Sequence, residues 1–291
     1  MAKLHTQNFL PYFFMLPALL IGMITMISYG VGFSIWIQNL FIWIVGVRFC
    51  YVVLTKTSLK LLDKSPLSIT SVLIILLIMP FWFNGIEGVH RWITFGPFHF
   101  YMASIILPML IIYLWKLSKN KNLLFSIGFI ILIEGILIMQ PDAGQLTAFA
   151  CASTIILWRA RENSKGKYIT LIILAIFVLA SWMFLDHLAP VPYVEQIIFL
   201  VADMGRIFLL LGVVALLLLV YPFFIPWKKD TLAMALGLYF LMTILVTFLG
   251  NFPMPIMGYG ISPIIGYLIA ITALQKIKIE QRKKGFTNDE N

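Results

Sequence analysis

Charge is what this sequence has least of. Asp, Glu, Lys and Arg together make up 11% of its 291 residues, while hydrophobic residues make up 61%. A soluble domain carries roughly 25% charged residues. A chain this poor in charge cannot cover a surface facing water, and one this apolar does not stay disordered. Cysteine is nearly absent. Cys50 and Cys151 each lie inside an apolar run, which excludes a disulfide-built secreted domain and leaves both as packing residues. Acidic residues number 12 against 21 basic ones, a net charge of +9. That excess is the one feature pointing toward nucleic acid. What the chain has in quantity is long hydrophobic stretches, and the class that remains is an all-α polytopic membrane protein.

A spanning helix takes about 20 mostly apolar residues. Backbone in hydrocarbon must satisfy its own hydrogen bonds, so the spans are helical. The hydrophobic runs predict about ten transmembrane helices, at roughly 8–28, 35–54, 66–83, 100–115, 123–139, 144–158, 168–185, 196–224, 231–250 and 254–275. With ten spans, every basic residue except Arg48, Arg91 and Arg206 falls on one side: Lys3; Lys56, Lys60 and Lys64; Lys116, Lys119 and Lys121; Arg159, Arg161, Lys165 and Lys167; Lys228 and Lys229; and Lys276, Lys278, Arg282, Lys283 and Lys284. That bias puts both termini in the cytoplasm. The positive charge thus marks topology, and no nucleic-acid partner is expected. The first run has a short basic start but no small-residue cleavage site, and reads as an uncleaved helix. Residues 1–275 form one expected transmembrane domain. Residues 276–291 form a basic, polar cytoplasmic tail, expected to fray from Gly285 to Asn291.

The opposite face holds few polar residues, and they gather in four loops. Asp142 follows Gln140-Pro141 at the start of the sixth span. Pro141 disfavours helix at Gln140, so the chain breaks there. The carboxylate has two readings: a cap on the helix N-terminus, or a partly desolvated general base. His90, Arg91 and Trp92 lie in the loop after span three. Arg91 has two readings as well, a fork for an anionic phosphate or a side chain snorkelling to headgroups. Inside the spans, Arg48, Glu134, Asp203 and Arg206 are expensive in lipid and are expected to face the bundle interior. Asp203 and Arg206, three apart, are expected to form a structural ion pair.

These loops, in this order, resemble the FtsW/RodA/SpoVE (SEDS) family. Asn84-Gly85 with Val89-His90-Arg91-Trp92-Ile93 and Gly96-Pro97 looks like the family's N-G-x-x-R-W-I-x-x-G-P. Gln140-Pro141-Asp142-x-Gly144 matches Q-P-D-x-G. Glu195 to Gly205, with Ala202-Asp203, is similar to the family's acidic segment opening a helix. Phe252-Pro253-x-Pro255 with Tyr259-Gly260-x-Ser262 resembles its last outer motif. The resemblance implies a SEDS-like bundle in the bacterial plasma membrane that polymerises peptidoglycan from lipid II, an undecaprenyl-pyrophosphate-linked sugar, with a role in cell division or cell shape. It implies Asp142 as the catalytic base, and Arg91, His90, Trp92, Gln140, Glu195, Tyr259 and Ser262 as substrate-binding residues. A class B penicillin-binding transpeptidase is the implied partner. No cofactor is evident. A divalent cation is compatible with the chemistry, but no ligand set for a metal stands out.

The chain also departs from the family pattern. Tyr101-Met102-Ala103-Ser104-Ile105-Ile106-Leu107 stands where the family has Q-P-S-E-x-x-K, so the glutamate and the lysine are both gone. Gly258, Ile261 and Pro263 alter the last motif, and the outer loop after span seven is short. These losses keep two further readings open: a non-catalytic scaffold for a transpeptidase, and a transporter of lipid-linked precursor using the intramembrane charges.

Overall fold

The structure, a computed structural model, describes residues 9–56, 65–96, 98–119, 123–160, 165–225 and 230–288, of which 281–288 are described by backbone alone. Lys3, Lys60, Lys64, Pro97, Lys121, Arg161, Lys228 and Lys229 lie outside the described residues, as do the side chains of Arg282, Lys283 and Lys284. The chain runs α1 (Leu10–Phe13), α2 (Leu16–Ser28), α3 (Phe33–Lys56), α4 (Pro66–Ile78), β1 (Trp92–Phe95), β2 (Phe98–Tyr101), α5 (Met102–Lys119), α6 (Leu123–Met139), α7 (Ala143–Trp158), α8 (Lys165–Met183), α9 (Pro192–Glu195), α10 (Ile197–Asp203), α11 (Arg206–Phe224), α12 (Thr231–Leu245) and α13 (Ile261–Asn288). Seven helical runs are long and apolar enough to cross a membrane, and three shorter apolar ones cover Pro66–Trp82, Leu123–Met139 and Ala143–Trp158. Helix therefore occupies every expected span.

Burial sorts these helices into an inner and an outer set. α7 packs most extensively on α12, and α5 lies against α4, α7 and α13. Leu146, Ala148, Phe149, Leu107, Leu110 and Leu236 are fully enclosed there. By contrast α3, α8 and α11 turn long apolar faces outward, including Phe41, Phe49, Ile172, Leu179, Leu210 and Leu217. An exposed face that is continuously apolar fits lipid, not water. Cys50 is buried, Cys151 is half-buried, and neither forms a disulfide.

Five features differ from expectation. The eighth is two helices, not one. Gly205 at φ 124° breaks the chain between α10 and α11, a conformation that side-chain-bearing residues avoid. α11 alone is long enough to cross, and α10 packs beside α2, where the Tyr29 hydroxyl donates to the Leu200 carbonyl at 3.4 Å. The expected ion pair between Asp203 and Arg206 is absent. The break at Gly205 removes the shared helix face, and both residues are exposed. Arg48 is exposed as well, so of the four intramembrane charges only Glu134 faces the interior. The tenth helix starts at Ile261, because residues 254–260 form a buried loop, and it continues to Asn288 where a fraying tail was expected. Finally, β1 and β2 pair antiparallel, Trp92 opposite Tyr101 and Phe95 opposite Phe98. Their β-branched and aromatic residues favour strand, and this hairpin is the only sheet among the described residues.

Candidate functional site

The helix break at Pro141 is the seed of the site. α6 ends at Met139, the Asp142 amide donates back to the Leu137 carbonyl at 3.0 Å, and α7 starts at Ala143. Asp142 caps α7, accepting the Gln145 amide on Oδ1 at 3.2 Å. The cap reading from sequence is thus realised. Gly144 is required by a close approach, since a Cβ there would sit 2.6 Å from the Phe252 ring.

Arg91 reaches across to this turn. Its Nε donates to the Gln140 carbonyl at 3.1 Å, and its Nη2 donates to the Pro141 carbonyl and to the Asp186 carboxylate. Arg91 is 4% exposed, so the side chain does not snorkel. It clamps the two peptide carbonyls that precede the aspartate. The Gln140 amide nitrogen donates to the Leu77 carbonyl at 2.8 Å, tying the turn to α4.

The second oxygen of Asp142 accepts the Tyr101 hydroxyl. Tyr101 ends β2, and its amide donates to the Ser262 hydroxyl on α13 at 3.0 Å. Asp142 is 0% exposed. Burial raises its pKa above the usual carboxylate range, while the Arg91 guanidinium and the Tyr101 and Gln145 hydrogen bonds hold the rise back. Burial and the neighbouring Asp142 together push the Tyr101 phenol well above its ordinary value. Asp186 is the second carboxylate of the cluster, and its Oδ1 accepts the Leu188 amide at 3.0 Å.

The remaining expected residues lie around this core. Trp92 is half-buried beneath Arg91, 5.9 Å from guanidinium carbon to ring centre, and 6.0 Å from the Tyr101 ring. His90 sits farther off, its Nδ1 3.1 Å from the Phe83 carbonyl. Glu195 turns back to accept the Val191 amide at 2.7 Å. Burial lifts its pKa to about 7 against the pull of its backbone hydrogen bonds and of Arg91. Tyr259 donates to the Gln38 side chain at 3.0 Å. The loop carrying Tyr259 is held from two sides: the Tyr259 amide bonds the Tyr193 carbonyl at 2.9 Å, and Asn39 grips Gly258 and Gly260. Arg91, Gln140, Asp142 and Ser262 are thus one connected cluster, Trp92 packs on it, and His90, Glu195 and Tyr259 are peripheral.

Two members escaped sequence reading. Tyr101 was visible only as a substitution in a family motif, and its hydroxyl reaches Asp142 because β2 turns it inward. Asp186 lies in the loop after α8, with nothing in the sequence to aim it at Arg91. Among the described residues no three His, Cys, Asp or Glu side chains are grouped to hold a metal ion.

Neither a family model nor a curated protein matches the sequence. Solved structures do. Rod shape determining protein RodA of Thermus thermophilus is similar at TM-score 0.64 and 16% identity, covering 92% of this chain and 95% of that one. A mutant of the same protein gives TM-score 0.70 at 15% identity over the same shares. A chain from a structure on the coordination of polymerization and crosslinking by a peptidoglycan synthase complex gives 0.63 at 16% identity, over 90% of this chain and 96% of that one. At such identity the likeness is one of architecture, and by it the chain is a multi-pass membrane protein with the RodA, or SEDS, fold.

Proposed function

We propose that the chain is a bacterial cell-wall synthesis protein of the plasma membrane, a glycosyltransferase that extends peptidoglycan strands from lipid II. The observation that carries this reading is the Gln140-Pro141-Asp142 turn. A RodA-like bundle brings its carboxylate to a helix N-terminus, while a guanidinium from a distant loop clamps the two preceding carbonyls. In the reaction Asp142 takes the proton of the acceptor sugar hydroxyl as that oxygen attacks the anomeric carbon. A carboxylate with a raised pKa is a stronger base for this step. The departing pyrophosphate needs positive charge nearby, and Arg91 is the cation of the cluster. It is engaged by carbonyls and by Asp186, so it serves the leaving group by exchanging Asp186 for phosphate. The transpeptidase partner belongs to the same reading, supported by a similar chain that functions in a peptidoglycan synthase complex.

The test is glycan synthesis by the purified protein from lipid II, native chain against Asp142→Ala. Product from the native chain that disappears in the variant supports the enzyme. Product from neither, with both proteins folded, supports a second reading. In that reading the chain is a non-catalytic scaffold, which copurifies with a class B penicillin-binding transpeptidase. Full burial of Asp142 and the missing glutamate and lysine favour this alternative. The transporter reading loses its support, because Arg48, Asp203 and Arg206 do not line an interior path.

A further inference from the structure

Asp142 has two oxygens, and each accepts one hydrogen bond. Oδ1 takes the Gln145 amide, which belongs to the first turn of α7 and leaves only if that turn unwinds. Oδ2 takes the Tyr101 hydroxyl, which belongs to a different element. Each carboxylate oxygen keeps a second lone pair, but Asp142 is 0% exposed, so an acceptor hydroxyl reaches it only if a neighbour moves, and Oδ2 is the side whose neighbour belongs to a separate element. Tyr101 sits at the inner end of a hairpin whose outer residues Thr94, Phe95, Phe98 and His99 are exposed. It is moored there by the Ser262 hydroxyl, the Trp92 ring and the pairing of β1 with β2.

Resting on the glycosyltransferase reading, we propose that Tyr101 is the positioning residue for Asp142: its phenol orients the carboxylate and holds Oδ2, and the β1–β2 hairpin must withdraw it before the carboxylate can act as a base. The acceptor hydroxyl then takes the place the phenol leaves. Its O–H bond breaks, the proton goes to Oδ2, the oxygen bonds the anomeric carbon, and the pyrophosphate departs with the electron pair of the glycosidic bond. Four charged or titratable side chains act on Asp142: Arg91 from the loop before β1, Tyr101 from β2, Asp186 from the loop after α8, and Tyr239 from α12. Of these, Tyr101 is the one that hydrogen-bonds to it.

A donor to a carboxylate favours its ionised form, so removing the phenol must make Asp142 easier to protonate. The experiment follows the infrared carboxyl band of Asp142, assigned by its loss in Asp142→Asn, through a pH titration of the full chain. Tyr101→Phe should move the midpoint up by about one pH unit. Difluorotyrosine at position 101, a stronger donor of the same shape, should move it down. The acid limb of lipid II polymerisation should follow the same two directions. A midpoint in Tyr101→Phe equal to that of the native chain overturns the proposal. If that variant does not fold, an unmoved midpoint with difluorotyrosine overturns it instead. Failure of the enzyme reading shows separately, as no glycan product from the folded native chain, and undiminished product from Asp142→Ala removes Asp142 as the base.

Discussion

Asp142 and Glu134 are both 0% exposed, and they sit in opposite surroundings. Asp142 occupies a break between helices, where a guanidinium, a phenol and a backbone amide converge. Glu134 sits inside α6, and neither of its oxygens has a hydrogen-bond partner among the described residues. A buried polar group without a partner costs free energy that a partnered one recovers. The chain thus places a phenol from β2 on Asp142 and a guanidinium from the loop before β1 on the two carbonyls that precede it, and gives Glu134 no hydrogen-bond partner among the described residues. That asymmetry is what separates a site from a mere burial.

Experiments can break this contrast at either member. The largest effect is expected at Asp142 itself: Asp142→Ala should lower glycan product by about 100-fold or more, the usual range for loss of a general base, and equal product would cancel the distinction. Next, Arg91→Ala leaves Asp186 and two carbonyls without their donor. Breaking a buried pair costs about 3 kcal/mol, to be read as a lower Tm of the detergent-solubilised protein. Arg91→Lys should not restore it, because one ammonium cannot match the fork. Glu134→Leu should go the other way, leaving product unchanged and stability equal or higher by about 1 kcal/mol; a clear loss of either would give Glu134 a role like that of Asp142. The smallest effect concerns Glu195. Its carboxyl titrates near 4.5 when free and near 7 in the fold, so between those values the folded state binds more protons. Stability should then fall as pH rises through that window, and Glu195→Gln should flatten the dependence.

The helices were legible because lipid demands runs of apolar residues that a sequence cannot disguise. Lys167 and Lys276 have local work: their ammonium groups donate to the Trp158 carbonyl at 2.9 Å and to the Val53 and Leu54 carbonyls at 3.4 and 3.3 Å, at the ends of α7 and α3. The cap at Asp142 was legible from Pro141 and the run that follows. The clamp on it was not, because Arg91 bonds main-chain carbonyls, which every residue possesses and no sequence pattern singles out. The fate of Asp203 and Arg206 turned on one backbone angle at Gly205, which helical spacing cannot reveal. Tyr101 was hidden for a related reason: its aim depends on the strand register that sets it opposite Trp92.

Ser262 and the loop before it have a consequence for biosynthesis. The hydroxyl that moors Tyr101 arrives on the final helix, and Asn39 from α3 waits for Gly258 and Gly260. A ribosome feeding this chain into the bilayer in order has most of the bundle inserted before these contacts can form. Until the last segment threads into place, a nascent molecule holds its acid without the bond that fastens the hairpin over it, and a protein truncated before Gly258 would lack the fastening altogether.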